Sequence, residues 1–255
     1  MNFALPFDIL CLLWIGIGVF VFILLQFITA PFGRHSHNRW GFMVNNKWGW
    51  VVMELPSLLI MFYFLLFGER SFQGYVWILF VLWIAHYLNR ALIFPFRIKP
   101  TQKKMPLIIV MSAIFFNIVN AGLNGYYLST MAPLEVYGEN WLGNANFIIG
   151  IFLFISGMSI NLRSDQILMN LRKTGDETYH IPRGFLFNYV SCPNLLGEII
   201  EWIGFALMAW NLPALSFAVW TFANLVPRAM SHHRWYIEKF PAYPKERKAL
   251  FPFLL

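Results

Sequence analysis

The chain is 255 residues long, 58% hydrophobic and only 12% charged, with a formal net charge of +7. Soluble domains carry about 25% charged residues, so this composition excludes an ordinary water-soluble fold. The two cysteines give neither a disulfide framework nor a zinc spacing. The basic residues flank apolar runs, which predicts membrane topology and no nucleic-acid partner.

Apolar runs of about 17–25 residues, the length that crosses a bilayer core, recur from end to end. Each must be helical, because lipid offers no partners for backbone amides. The expected helices cover residues 7–29, 50–67, 75–94, 106–131, 144–171, 194–210 and 213–236. The first has no basic residue before it and no small-residue cleavage site after it, so it reads as a retained helix. No internal repeat, low-complexity stretch or linker divides the chain, and 1–255 reads as one domain. The fold class expected is therefore all-α, a polytopic membrane protein of about seven transmembrane helices.

The connections alternate in charge. Arg34, Arg39 and Lys47 fall in the first, Glu69 and Arg70 in the second, and Arg90, Arg97, Lys99, Lys103 and Lys104 in the third. The fourth holds Glu135 and Glu139, the fifth Arg163, Arg172, Lys173 and Arg183, and the tail runs from Arg228 to Lys248. Of the 19 basic residues, 18 then lie on one side of a seven-helix arrangement. The positive-inside rule makes that side cytoplasmic, with the N-terminus outside and the C-terminus inside. An integral location follows, in the endoplasmic reticulum of a eukaryote or the inner membrane of a bacterium. Membrane lipid is the surrounding partner, and no obligate protein partner is evident.

Glu54 lies inside the second apolar run. An ionised carboxylate there costs several kcal/mol, whereas a neutral acid can donate a hydrogen bond to a carbonyl or act as a general acid. The competing reading is a structural carboxyl bonded to a neighbouring helix. In the third run, Tyr87 needs a hydroxyl partner if buried and would make a donor pair by facing Glu54. Alternatively it belongs to an interfacial belt with Arg90 snorkelling. Asn117, Asn120 and Asn124 share one face of the fourth helix, and bonding between helices is the preferred reading for them.

Polar stripes also mark the cytoplasmic ends of the last three helices: Asn161, Asp165 and Arg172; Asn194, Glu198 and Glu201; Arg228, His232 and Tyr236. Each set falls on one helical face. Lining one cavity, they suit a large polar ligand with phosphates and a ribose; separately, they are salt-bridged helix ends. There is no Rossmann glycine turn and no Walker loop. The six histidines are too few and badly spaced for a membrane di-iron box, so no metal is expected.

The chain resembles the steroid 5α-reductases, membrane enzymes of the 3-oxo-5α-steroid 4-dehydrogenase family. The resemblance rests on Glu54-Leu-Pro-Ser57, His86-Tyr87-x-x-Arg90, Gly125-Tyr-Tyr-Leu128 and Gly157-Met-x-Ile-Asn-x-x-Ser-Asp165. It continues in Leu171-Arg-Lys173, Ile181-Pro182, Asn194-x-x-Gly-Glu-Ile-Ile-Glu-Trp202 and the tail through Tyr243-Pro-x-x-Arg-Lys-Ala-Leu250. It implies a seven-helix enzyme that uses NADPH to saturate the C4–C5 double bond of a 3-oxo-Δ4 steroid. Glu54 and Tyr87 would be the catalytic pair holding the steroid 3-oxygen, with Trp50 and Met53 beside the substrate. The implied cofactor residues are Arg34, Arg90, Asn161, Asp165, Arg172, Tyr179, Asn194, Glu198, Arg228, His232 and Tyr236. The basic loops, Arg97, Lys99 and Lys173 included, are candidates for the phosphates. One departure is plain: the steroid enzymes place glutamine where this chain has Met53, which removes a hydrogen-bonding group. That departure keeps open a reductase of another conjugated lipid, such as a trans-2-enoyl thioester or a polyprenol. A membrane S-adenosylmethionine-dependent methyltransferase is a further alternative, disfavoured because methyl transfer needs no acid at an acceptor carbonyl. A seven-helix transporter or receptor is disfavoured by the cytoplasmic polar stripes.

Overall fold

The computed structural model describes residues 6–36, 38–98, 103–171, 178–252 and 254. The helices are α1 (Phe7–Phe27), α2 (Asn46–Phe67), α3 (Trp77–Leu88), α4 (Phe94–Arg97), α5 (Leu107–Tyr126), α6 (Ala145–Asn170), α7 (Pro193–Ala209) and α8 (Leu212–Lys239). A π-helical segment, Asn89–Ile93, joins α3 to α4, and a second, Tyr127–Met131, prolongs α5. The helical stretches therefore fall where the apolar runs predict them, within a few residues. Among the described residues, five are long and apolar enough to cross a membrane: Phe7–Phe27, Asn46–Phe67, Trp77–Arg97, Leu107–Met131 and Ala145–Asn170. The other two differ for visible reasons. α7 has only 17 residues and includes Glu198 and Glu201, and the last turns of α8 carry Arg228, His232, His233, Arg234, Glu238 and Lys239.

Local chemistry explains where the elements depart from the expected bounds. α2 starts at Asn46, not at residue 50, because the Asn45 side chain caps it, accepting from the backbone N–H of Lys47 at 3.0 Å and of Trp48 at 3.3 Å. Pro95 explains the π segment before it. Its ring has no N–H to donate and would press on the carbonyl four residues back, and the wider turn over 89–93 accommodates that misfit. The all-α expectation also meets a small exception. β1 (Met43–Asn45) pairs antiparallel with β2 (Lys104–Pro106), Val44 opposite Met105. Three residues are too few to show a strand period in sequence.

The described chain forms two compact units, one of Met1–Ala30 with Ile149–Leu255 and one of Pro31–Ile148. In the first, α1 packs along α8. Trp220 Nε1 donates to the Trp14 carbonyl at 2.8 Å, and the two indoles lie 4.6 Å apart. α6 and α7 approach to backbone contact through two pairs of glycines seven residues apart. A Cβ on Gly150 would lie 2.7 Å from the Gly204 carbonyl oxygen, and one on Gly197 would lie 2.5 Å from the Asn161 nitrogen. Gly157 faces the Gly197 carbonyl and the Glu201 nitrogen as closely. Small residues at such a seam let membrane helices approach where lipid supplies no hydrophobic drive between them. Cys192, Leu195, Leu196, Ile199, Leu225, Val226 and Ala229 fill the core of this unit.

In the second unit α2 packs against both α3 and α5. Its core gathers Trp50, Met53, Met105 and Val110, with Phe32 and Phe94 against them. Trp83 is fully buried, and its Nε1 donates to Ser57 Oγ at 3.1 Å, which supplies the partner a buried indole needs. This bond and the α2–α5 contacts set the level at which Glu54 and Tyr87 meet.

The glycine seam makes a direct prediction. Gly157→Leu would have to push α7 off α6, an overpacking cost of about 1–3 kcal/mol or more. A lower melting temperature in detergent is expected. Gly122→Ala, at a helical position with open space around its Cβ, is expected to leave it unchanged or raise it.

Candidate functional site

The second unit holds a buried acid–amide–phenol network. Glu54 sits on α2, half-buried, one residue after the buried Met53. Pro56, two residues further on, cannot donate to the carbonyl of Val52, so the α2 ladder is interrupted at this level. The next carbonyl, that of Met53, receives the Asn117 side-chain N–H at 2.6 Å. The same Nδ2 donates to Glu54 Oε2 at 3.1 Å, and the Tyr87 hydroxyl donates to Asn117 Oδ1 at 3.2 Å. Asn117 is 2% exposed and Tyr87 4%, so the bond between them is shielded from water, while the one to Glu54 is part-buried. The Tyr87 ring stacks on Trp83 at 5.5 Å, which fixes its tilt. Glu54 and Tyr87, paired by expectation, are thus brought together through a residue that sequence reasoning assigned to helix bonding.

Trp50 and Met53 line the apolar side of this network. Trp50 meets Phe32 and Phe94 edge to face, at 5.3 and 5.2 Å. Arg90, expected at the cofactor, places its guanidinium 4.7 Å from the Trp50 ring and 5.2 Å from that of Phe94. The π segment that carries Arg90 starts two residues after Tyr87. Arg34, half-buried, lies in the short turn Gly33–His35 of the same unit.

The first unit holds a carboxylate–amide cluster beside the glycine seam. Asn161 on α6 donates through Nδ2 to the Asn194 carbonyl at 2.9 Å and to Glu198 Oε2 at 3.4 Å. Asn194 on α7 donates to Asp165 Oδ1 at 3.1 Å. Two of the three expected stripes therefore meet, and the seam explains why: side chains one turn beyond Gly157 and Gly197 cannot avoid each other. Asp165 is 7% exposed and Asn161 3%. On α8, Arg228 donates to Asn224 Oδ1 at 3.4 Å, and His232 is half-buried one turn on. Tyr179 packs edge-on to Trp235 at 4.9 Å. Arg172, with Lys173 and Lys99, lies outside the described residues.

Tyr236 belongs to a feature the sequence did not announce. It is buried and stacks on Tyr243 of the tail, with ring centres 5.1 Å apart and planes 10° from parallel. The tail is latched there by Ser191. Its Oγ lies 2.6 Å from His233 Nδ1, 2.6 Å from the Tyr243 hydroxyl and 3.1 Å from the Lys248 carbonyl. The carbonyl can only accept, so the assignment that satisfies all three contacts gives it the single Ser191 hydrogen. Tyr243 O–H and His233 Nδ1–H then donate to Ser191. The backbone adds Ser191 N–H to Lys248 O at 2.8 Å and Cys192 N–H to Ala249 O at 3.1 Å. Arg247 is 4% exposed and donates to the Pro182 carbonyl at 2.9 Å.

These features define a helical membrane protein whose polar chemistry is buried in two clusters, one built on an acid and a phenol, the other on carboxylates and amides. A sequence model of the 3-oxo-5-alpha-steroid 4-dehydrogenase family matches residues 103–255. The chain is 40% identical to 3-oxo-5-alpha-steroid 4-dehydrogenase 1 of Bos taurus over 252 residues, 97% of this chain and 96% of the relative. It is 41% identical to steroid 5-alpha-reductase DET2 of Solanum lycopersicum over 237 residues, 91% of each. With 3-oxo-5-alpha-steroid 4-dehydrogenase 1 of Homo sapiens it shares 42% over 241 residues, 94% of this chain and 92% of the relative. The chain belongs to the 3-oxo-5-alpha-steroid 4-dehydrogenase family and is an oxidoreductase.

The latch can be tested apart from any activity. Ser191→Ala would leave the Tyr243 hydroxyl and His233 short of a buried partner, at a cost of about 1–3 kcal/mol. Faster hydrogen exchange over residues 240–252 is expected, with exchange in α2 and α5 unchanged.

Proposed function

We propose that this chain is an NADPH-dependent reductase that saturates the C4–C5 double bond of 3-oxo-Δ4 steroids, working as one domain over residues 1–255. The reading includes seven membrane crossings with the N-terminus outside and the basic ends cytoplasmic. The observation that carries the chemistry is the buried link of Glu54 and Tyr87 through Asn117. An enone accepts hydride at its β-carbon only as negative charge moves onto its oxygen. Two donors aimed at that oxygen stabilise the charge, and more strongly where water is excluded. Glu54 as the neutral acid and Tyr87 as the phenol are those donors. Trp50 and Met53 offer an apolar wall suited to a sterol skeleton rather than a polar acyl carrier, which favours the steroid over a thioester. The relatives named for 3-oxo-5-alpha-steroids and steroid 5-alpha reduction support the same substrate class.

The first-unit cluster fits a reduced dinucleotide in the chemistry of its groups. Asp165 and Glu198 supply carboxylate acceptors for ribose hydroxyls, Asn161 and Asn194 offer amides that can both donate and accept, and Arg228 brings positive charge for phosphate. His232, Tyr236 and Tyr179 complete the proposed set there, with Arg34, Arg90 and Arg172 further candidates for the phosphates. NADPH when bound supplies the hydride. The chain's own residues bind it, hold the carbonyl, and keep water from the reacting carbons.

Glu54→Gln and Tyr87→Phe are each expected to cut turnover of a 3-oxo-Δ4 steroid by about 10²-fold or more, the scale for loss of an oxyanion donor. The KM for NADPH should change far less. Purified protein is assayed by NADPH oxidation coupled to steroid reduction, and full turnover in either variant would remove the assignment. Asp165→Ala is expected to do the reverse. Loss of a charged hydrogen-bonding group of about 1.5–3 kcal/mol should weaken NADPH binding roughly 10- to 100-fold. Steroid affinity, measured separately, should be kept.

A further inference from the structure

Asn117 carries more of this site than a helix–helix tie needs. Its amide orientation is fixed by Met53: the backbone carbonyl at 2.6 Å can only accept, so Nδ2 must face it and Oδ1 must face Tyr87. The second Nδ2 hydrogen then points at Glu54 Oε2, 3.1 Å away. The carbonyl oxygen of a neutral acid is its better acceptor, so this bond favours the acid proton on Oε1. Two of the three bonds tie α5 to α2, and the third, from Tyr87, is the longest at 3.2 Å. The Tyr87 hydrogen is therefore the one that can turn to an arriving carbonyl while the other two bonds persist. The neighbouring Asn120 and Asn124 also donate within their own helix, to the carbonyls of Phe116 and Asn120.

We infer that Asn117 is a positioning residue of the carbonyl-binding pair, selecting which Glu54 oxygen carries the proton and holding the Tyr87 hydroxyl beside it. This rests on the reading of Glu54 and Tyr87 given above. Asn117 does not itself touch the substrate. It acts through both donors, so its effect depends on Tyr87 being able to donate.

The test is a double-mutant cycle on the purified full chain, with NADPH and a 3-oxo-Δ4 steroid. Asn117→Leu removes the amide, while Asn117→Asp keeps its volume and its acceptor for Tyr87 but loses the donors to Glu54 and Met53. Both are expected to lower kcat about tenfold or more, with the KM for NADPH within about threefold of the native value. In a Tyr87→Phe background Asn117→Leu should cost markedly less than it does alone. A residue that only ties α5 to α2 would lower the melting temperature and add its effect independently of Tyr87. If Glu54→Gln and Tyr87→Phe lose turnover while both Asn117 variants keep it, or if the Asn117 and Tyr87 effects simply add, the inference is overturned and the carbonyl site stands. If Glu54→Gln and Tyr87→Phe keep full turnover, the reading of the carbonyl site fails and the inference goes with it.

Discussion

A polar group buried in an apolar helical protein has to be answered by another group of the same protein, because neither lipid nor water will do so. That constraint arranges both units. In one, Asn117 answers a backbone carbonyl, an acid and a phenol at once. In the other, Asn161 and Asn194 answer each other's helices and the carboxylates of Glu198 and Asp165. The indoles of Trp83 and Trp220 find Ser57 and the Trp14 carbonyl for the same reason. Each such bond contributes only about 0.5–1.5 kcal/mol net. The cost of leaving its members unmet is larger, and that asymmetry is what makes the networks specific.

The helices were legible because their signal is long and strong: uninterrupted apolar runs leave few other structures open. The start of α2 was misplaced because the eye stops at the first charged or polar residue, whereas the backbone stops at its cap, Asn45. The π segment at 89–93 was hidden because proline signals trouble without saying which irregular turn resolves it. Glu54 was legible as an oddity, a carboxyl in an apolar run. Its pairing with Tyr87 was raised as an expectation, but the link through Asn117 was not, because periodicity gives a residue's face but not its height against the neighbouring helix. That missing height is also why Asn117 read as one asparagine among three. The glycine seam was not read from the sequence: the seven-residue spacing of Gly150 with Gly157 and Gly197 with Gly204 gains meaning only once the two helices are paired.

Met53 shows how a loss in sequence reads in three dimensions. The resemblance puts a glutamine amide there, and by sequence alone a hydrogen-bonding group has gone. In the structure the Met53 side chain packs against Trp50, Met105 and Val110, and its backbone carbonyl accepts from an amide that comes from α5. The level of the acid therefore still has an amide, delivered from a different helix. Arg90 and Tyr236 make the converse point. Both were expected at a cofactor, and both carry packing as well, one over the faces of Trp50 and Phe94 and the other in a stack with Tyr243.

The composition of the first unit bears on the order in which the protein is made. Trp14 and Trp220 are bonded across 206 residues of chain, and the tail bonds back to Ser191 and Cys192. The second unit, Pro31–Ile148, is continuous in sequence and can complete its contacts while synthesis continues. α1 cannot. It precedes α8, the last of the described helices, by most of the chain, so the Trp220 indole reaches the Trp14 carbonyl only when synthesis is nearly complete. Apolar on every side between Asp8 and Gln26, it can wait in lipid at little cost.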